Sequence, residues 1–242
     1  MRIAIISDIH SNLEAFQAVL SEIEKEQVDT ILCLGDIVGY GPNPNECIEL
    51  AQKHCETILI GNHDYACINK SEMFFFNRFA RQAIEYTLSV ISEENLDFIS
   101  GLPFSATVYH YLLVHANPYT PESWDYILSI DDAIFYFSKF KAQICFIGHS
   151  HQPIVYYETV DQQYGFTEER ELDLDPDKRY IINVGSVGQP RDNNPAAAFG
   201  ILDTTENHYE LIRVGYNVKE TIDKMYSAGL PKFLSDRLLV GK

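Results

Sequence analysis

Arg2-Ile3-Ala4-Ile5-Ile6-Ser7-Asp8-Ile9-His10 opens the chain with an apolar run that stops on two metal-type side chains. A short apolar run of this length reads as a buried strand. The pattern returns four times. Thr30-Ile31-Leu32-Cys33-Leu34 leads into Gly35-Asp36, and Thr57-Ile58-Leu59-Ile60 into Gly61-Asn62-His63-Asp64. Tyr111-Leu112-Leu113-Val114 leads into His115, and Ile144-Cys145-Phe146-Ile147 into Gly148-His149-Ser150-His151. In open α/β sheets, ligands bind outside the carboxyl ends of the strands. Five such exits therefore predict one rim of one sheet lined with Asp, Asn and His. These side chains are the oxygen and nitrogen donors that first-row transition metals take. Asp8, His10, Asp36, Asn62, His115, His149 and His151 suffice for two ions. Two ions about 3.5–4 Å apart are a standard device for hydrolysing phosphate esters. Any one of these residues alone reads as a polar loop residue or a satisfied histidine; the five matching positions together do not.

Outward from these strands, the first half alternates strand and helix. Leu13, Phe16, Leu20 and Ile23 recur at helical spacing, with Asn12 or Ser11 as cap. Gly41, Pro42 and Pro44 punctuate a loop before a short helix over Glu46 to Lys53. This order implies parallel strands with crossover helices. Glu72 to Ser100 reads as helix, with the Phe74-Phe75-Phe76 run assigned to its core face. Ser105 to Val114 reads as a hairpin turning near Tyr109-His110, and Asp131 to Lys139 as a helix. Ile154 to Thr159, Arg179 to Val184, Ala197 to Asp203 and Tyr209 to Val214 read as strands. The acidic stretch from Asp161 to Lys178 reads as an exposed loop or hairpin arm, and a helix over Val218, Ile222 and Met225 precedes a last short one opened by Pro231. No repeat and no linker interrupts the pattern, so one domain over residues 1–242 is expected, an α/β fold of two packed mixed sheets flanked by helices.

With 46% apolar residues the chain has ample material for a core. No run approaches the roughly 18 apolar residues that suggest a bilayer span, and Met1 to Ser7 is too short for a signal peptide. Cys33, Cys47, Cys55, Cys67 and Cys145 are odd in number and none forms a CxxC pair. A reducing, cytoplasmic setting is expected, with Cys33 and Cys145 as small core residues. The net charge of −17 excludes a broad electrostatic grip on nucleic acid. Two bound divalent ions would reverse the sign locally and admit an anionic substrate.

The ordered set Asp-x-His, Gly-Asp, Gly-Asn-His-Asp, a lone His after a strand, and Gly-His-x-His resembles the calcineurin-like metallophosphoesterase superfamily. Gly35 to Pro42, Asn183 to Asp192 and Ala228-Gly229-Leu230-Pro231 resemble its small, single-domain bacterial and archaeal members. The resemblance spans essentially the whole chain and implies the four-layer α/β/β/α fold. It also implies that Asp8, His10, Asp36 and His151 hold one metal and Asn62, His115 and His149 the second, with Asp36 bridging. Two oxygens let a carboxylate bridge, whereas an imidazole or an Asn carbonyl binds one ion. The implied reaction is in-line attack on phosphorus by a metal-bound hydroxide, with His63 as proton donor to the leaving oxygen and Asp64 orienting and charging its ring. One position departs from the family, which often carries a second Asp three residues after Gly-Asp; here that position is Gly39.

Weaker expectations surround this set. Asn12 is a phosphate contact or a plain helix cap. Arg191 follows a Gly/Ser-rich segment whose N–H groups could form an anion nest; it neutralises a phosphate or pairs with a carboxylate. Tyr40, Tyr65, Tyr119 and Trp124 follow the motifs and could stack a base, although most aromatics simply pack. His54, His110 and His208 lie outside every motif. Within the hydrolase class, phosphodiesters, phosphomonoesters, phosphoproteins and dinucleoside polyphosphates or other nucleotides all remain open as substrates. The competing class is a non-catalytic metal-binding scaffold. Manganese or iron leads among the expected metals, but nickel, cobalt and zinc accept the same donors.

Overall fold

The computed structural model describes residues 1–242. Its twelve strands form two six-stranded sheets. The first contains β1 (Arg2–Ile6), β2 (Thr30–Cys33), β3 (Thr57–Ile58), β9 (Glu171–Asp173), β11 (Ala197–Asp203) and β12 (His208–Val214), in the order β3-β2-β1-β11-β12-β9. The second contains β4 (Ser105–Val108), β5 (Tyr111–Val114), β6 (Ile144–Ile147), β7 (Ile154–Glu158), β8 (Tyr164–Thr167) and β10 (Arg179–Asn183), in the order β4-β5-β6-β10-β7-β8. Both are mixed: β1, β2 and β3 run parallel, as do β5, β6 and β10, and the remaining pairs are antiparallel.

Side chains of a strand alternate between its two faces, and in β1 each face meets a different apolar layer. Ile3 and Ile5 enter a core shared by both sheets, with Leu32 and Leu202 from the first and Phe146 and Ile182 from the second. Ala4 and Ile6 face the opposite way, onto α1 (Leu13–Lys25) and α2 (Pro44–His54) through Phe16, Val19, Cys47 and Ile48. The outer face of the second sheet, with Cys145, Ile147 and Ile181, packs on Ala133 and Phe137 of α6 (Ile130–Phe137). The result is the expected helix–sheet–sheet–helix layering. Both faces of the central strands are apolar because each must satisfy its own neighbour.

Three expectations need correction. The five strand exits do not line one sheet: β1, β2 and β3 belong to the first and β5 and β6 to the second, so the two sheets share the rim. The stretch from 72 to 100 is not one helix. A 3₁₀ turn at Lys70–Phe74 precedes α4 (Arg78–Val90) and α5 (Glu93–Ser100). Asn77 Oδ1 accepts from Phe79 and Ala80 N, and Ser92 Oγ accepts from Asn95 N, so each break carries its own cap. Phe74 and Phe75 consequently leave the core and are 80% and 84% exposed.

The acidic stretch from 161 to 178 supplies β8 to one sheet edge and β9 to the other. At the carboxyl end, α7 (Val218–Ser227) and α8 (Lys232–Leu238) pack Ile222, Met225, Leu234 and Leu238 against Ala80 and Ala83 of α4. All five cysteines are free, and Cys33 and Cys145 are fully buried core residues. No helix is long and apolar enough to cross a membrane.

Candidate metal centre

The backbone turns sharply where the strands end. Asp8, His10, Asp36, His149 and His151 all have left-handed φ, between 50° and 64°. For a residue with a Cβ this conformation is uncommon and costs about 1–2 kcal/mol. Such strain persists only where the surroundings over-determine it, and it gathers at functional sites. Here the exits are stitched to one another. Asp8 N donates to Gly35 O at 3.0 Å, His10 N to Asp36 O at 3.0 Å, Gly148 N to His115 O at 2.9 Å, and Gly188 N to Asp8 O at 2.8 Å. At Gly61 a Cβ would fall 2.1 Å from Asp36 Oδ1, so only glycine lets the chain leaving β3 pass this close to the carboxylate.

Main-chain carbonyls fix four imidazoles. The Nδ1 atoms of His10, His115 and His151 lie 3.0, 3.1 and 2.6 Å from the carbonyl oxygens of Val38, Leu34 and Gln189. A carbonyl only accepts, so each Nδ1 carries a proton and each Nε2 is the ring atom aimed inward. His149 is turned the other way: its Nε2 donates to Trp124 O at 2.9 Å, leaving Nδ1 as the free donor atom. The ring of Tyr126 stacks on it at 4.0 Å.

These inward atoms converge. Asp8, His10 and His151 form one group with donor atoms within 4.8 Å of one another; Asp36, His115 and His149 form a second. Asp36 Oδ2 lies 3.6 Å from His10 Nε2 and 3.4 Å from His115 Nε2, between the two groups. Asn62 heads α3 (Asn62–Ile68) on the same side. Asp8 Oδ1, Asn62 Oδ1 and His115 Nε2 are buried without a hydrogen-bond partner in the protein. Leaving such atoms unpaired costs about 1–3 kcal/mol each, so the donor set fits cations held among these residues. The charge distribution agrees. Burial opposes ionisation of Asp8 and Asp36, yet His151 and His115 beside the first, and His115 and His63 beside the second, hold both well below the usual carboxylate range. Burial likewise opposes a charge on His115, but Asp36 and Asp8 outweigh it and push its pKa up to about 9. A proton there occupies ground that a divalent ion, with twice the charge, would take.

His63 follows Asn62 on α3, and with His10 and Asp36 it makes a third group of donor atoms within 4.8 Å of one another, sharing a member with each of the other two. It contacts Tyr40, Phe76 and His10, with ring centroids 4.4, 4.8 and 4.8 Å away. Burial brings its pKa down to about 4 despite Asp36. Gly39, the position that departs from the family pattern, has φ +89°, and a Cβ there would fall 2.3 Å from His63 Nδ1. The glycine thus makes room for the ring.

One expected role changes. Asp64 does not reach the His63 ring, whose Nδ1 has no partner. Its carboxylate instead accepts from the backbone N–H of Gly61, Ile37 and Val38 at 3.0, 3.3 and 3.0 Å. It caps α3 and ties the β2 exit to it. Of the two roles expected for Asn12, the structure shows the helix cap. Its Oδ1 caps α1 at Ala15 N and accepts from Thr221, and its Nδ2 donates to Gly188 O and Tyr216. Arg191 pairs with no carboxylate: it donates to Gln189 Oε1 and lies over the Tyr40 ring, on the cavity above Asp36 and His63. Of the aromatic candidates, Tyr40 lines that cavity. Tyr126, which follows no motif closely, lines it too and was missed for that reason.

The model of the calcineurin-like phosphoesterase superfamily domain matches residues 1–207. An uncharacterised protein of Methanocaldococcus jannaschii is 42% identical, over 99% of this chain and 98% of its own. A metallophosphoesterase from Sphaerobacter thermophilus superposes with a TM-score of 0.87 at 40% identity, covering 100% of this chain and 99% of that one. A hypothetical protein from Pyrococcus horikoshii shares the fold, with a TM-score of 0.78 at 19% identity over 100% and 98% of the two chains. Ordered motifs, two-sheet fold and whole-length likeness agree: the chain belongs to the calcineurin-like phosphoesterase superfamily, a metal-dependent family of phosphoesterases.

Proposed function

We propose that the protein hydrolyses phosphoric esters at a dinuclear centre, with His63 as the proton donor to the leaving oxygen. Asp8, His10 and His151 would hold one ion, and Asn62, His115 and His149 the other, with Asp36 shared. The observation that carries this reading is the convergence of two buried donor groups around Asp36, with three of the inward atoms forming no hydrogen bond within the protein. Two divalent ions supply a water of lowered pKa and offset the charge of phosphoryl oxygens. The protein's own part is orientation. Carbonyl-locked imidazoles keep one ring nitrogen aimed inward, and the Gly61 turn brings α3 against Asp36, whose Oδ1 accepts from His63 N at 2.8 Å. Arg191 sits where a phosphate oxygen outside the donor groups could be met. His63 is packed against three rings and against Gly39.

Manganese or iron is the proposed occupant. Buried free thiols are compatible with a reducing, cytoplasmic setting. The test is a hydrolysis panel on metal-reconstituted protein, comparing a monoester, a diester and a dinucleoside polyphosphate in Mn²⁺, with Asp36→Ala as control. Turnover that Asp36→Ala abolishes supports the proposal. No turnover on any class, with two ions bound, moves the protein to a non-catalytic scaffold.

A further inference from the structure

The cavity above Asp36 and His63 holds about 110 Å³. It is much smaller than a second, neighbouring cavity of about 710 Å³ with which it shares Arg191, so a substrate bulkier than a phosphoryl group has room to extend there. Ser150, between His149 and His151, lines the second cavity as well. The volume falls in the range of sites that bind small organic molecules.

Its lining has two characters. Leu128 and Phe166, on separate segments, are 60% and 56% exposed and both face it. Apolar surface of that kind has no partner within the protein. The chain has only eight arginines among 242 residues and a net charge of −17, yet Arg170, Arg191 and Arg213 all line this cavity. Against them stand Glu168 and Asp192, leaving one positive charge in excess. Arg213 is committed to Asp192 and to Ala196 O. Arg191 uses Nε and Nη2 on Gln189, which leaves Nη1 for another acceptor. Arg170 forms no ion pair. Two guanidinium groups are therefore available to an anion, beside apolar walls suited to a ring.

We infer that this second cavity receives the leaving half of the substrate, and that this half is a nucleoside phosphate. The inference rests on the hydrolytic reading above and narrows it to nucleotide-linked phosphoesters or phosphoanhydrides. Its chemistry balances with water alone. The water oxygen bonds to the scissile phosphorus, the bond from phosphorus to the leaving oxygen breaks, and one proton passes to that oxygen. The products are a phosphate or phosphate ester from the scissile side and the free nucleotide.

The experiment measures two things on the full chain. The first is AMP binding to the metal-free protein by titration calorimetry. The second is kcat/KM of the Mn²⁺-loaded protein for a dinucleoside polyphosphate and for 4-nitrophenyl phosphate. Arg170→Ala and Phe166→Ala should each weaken AMP binding at least tenfold and shift the ratio of the two kcat/KM values at least tenfold against the dinucleotide, mainly through KM. Unchanged AMP affinity and an unchanged ratio would overturn the inference. So would a shift produced by Phe75→Ala alone, which would put the leaving half beside that exposed ring instead. The two proposals fail separately. If AMP binds through Arg170 but no ester turns over, the hydrolytic reading falls. If 4-nitrophenyl phosphate turns over and AMP does not bind, only the nucleotide inference does.

Discussion

Removing the His63 imidazole should separate metal binding from proton transfer. His63→Ala is expected to keep both ions by elemental analysis and to lose about 10²–10⁴-fold in kcat on esters with poor leaving groups. Parallel loss of metal and turnover would make His63 a ligand instead, as its nearness to His10 and Asp36 allows. Gly39→Ala attacks the same ring from behind. Its Cβ would meet His63 Nδ1 at 2.3 Å on a backbone at φ +89°. A cost of about 1–3 kcal/mol in chemical denaturation, with at least a tenfold fall in kcat and retained metal, is the expected result.

The His115 imidazole contributes to the pH dependence on the alkaline side. Its pKa rises from an ordinary 6.5 to about 9 in the folded, metal-free protein. The stabilisation it contributes is full below pH 6.5 and lost as pH rises through about 9. Because an ion must displace that proton, apparent metal affinity should climb over the same interval, measurable by competition with a chelator of known affinity. Sequence made the donor residues legible because each follows an apolar run. It did not reveal what aims them. The carbonyls of Val38, Leu34, Gln189 and Trp124, like the left-handed turns, are backbone features that no side-chain type announces. For the same reason the Gly-Asn-His-Asp motif pairs Asp64 with His63, whereas three backbone N–H groups hold its carboxylate.

Among the elements, α1 gives the clearest contrast between a cap and a ligand. Asn12→Ala should destabilise the fold by about 0.5–2 kcal/mol, since it removes the Ala15 cap and contacts to Gly188, Tyr216 and Thr221. KM for phosphate esters should be unchanged; a large rise would restore Asn12 as a phosphate contact. The strands were readable because β-branched runs of four or five residues bounded by turn residues are hard to mistake. Helix α3 was not, because its seven residues are too few for periodicity. The breaks at Asn77 and Ser92 were hidden by apolar spacing that continues across them. That continuity put Phe74 and Phe75 on a core face they do not occupy.

Across the whole molecule, order along the chain told of two sheets but not of how they share the work. Strand β11 pairs antiparallel with β1 from nearly 200 residues away, a long-range pairing that local pattern does not encode. This pairing leaves β1, β2 and β3 in one sheet while β5 and β6 serve the other, so the donor rim belongs to both. A centre assembled from two sheets depends on their shared core, and its acidic surroundings make sense once cations are counted. The most direct measurement is an anomalous-difference map from a crystal grown in Mn²⁺. Two peaks about 3.5–4 Å apart, both within bonding distance of Asp36, are the predicted result. A single peak, or none at saturating Mn²⁺ with Asp36, His115 and His151 in their present positions, would contradict the dinuclear account.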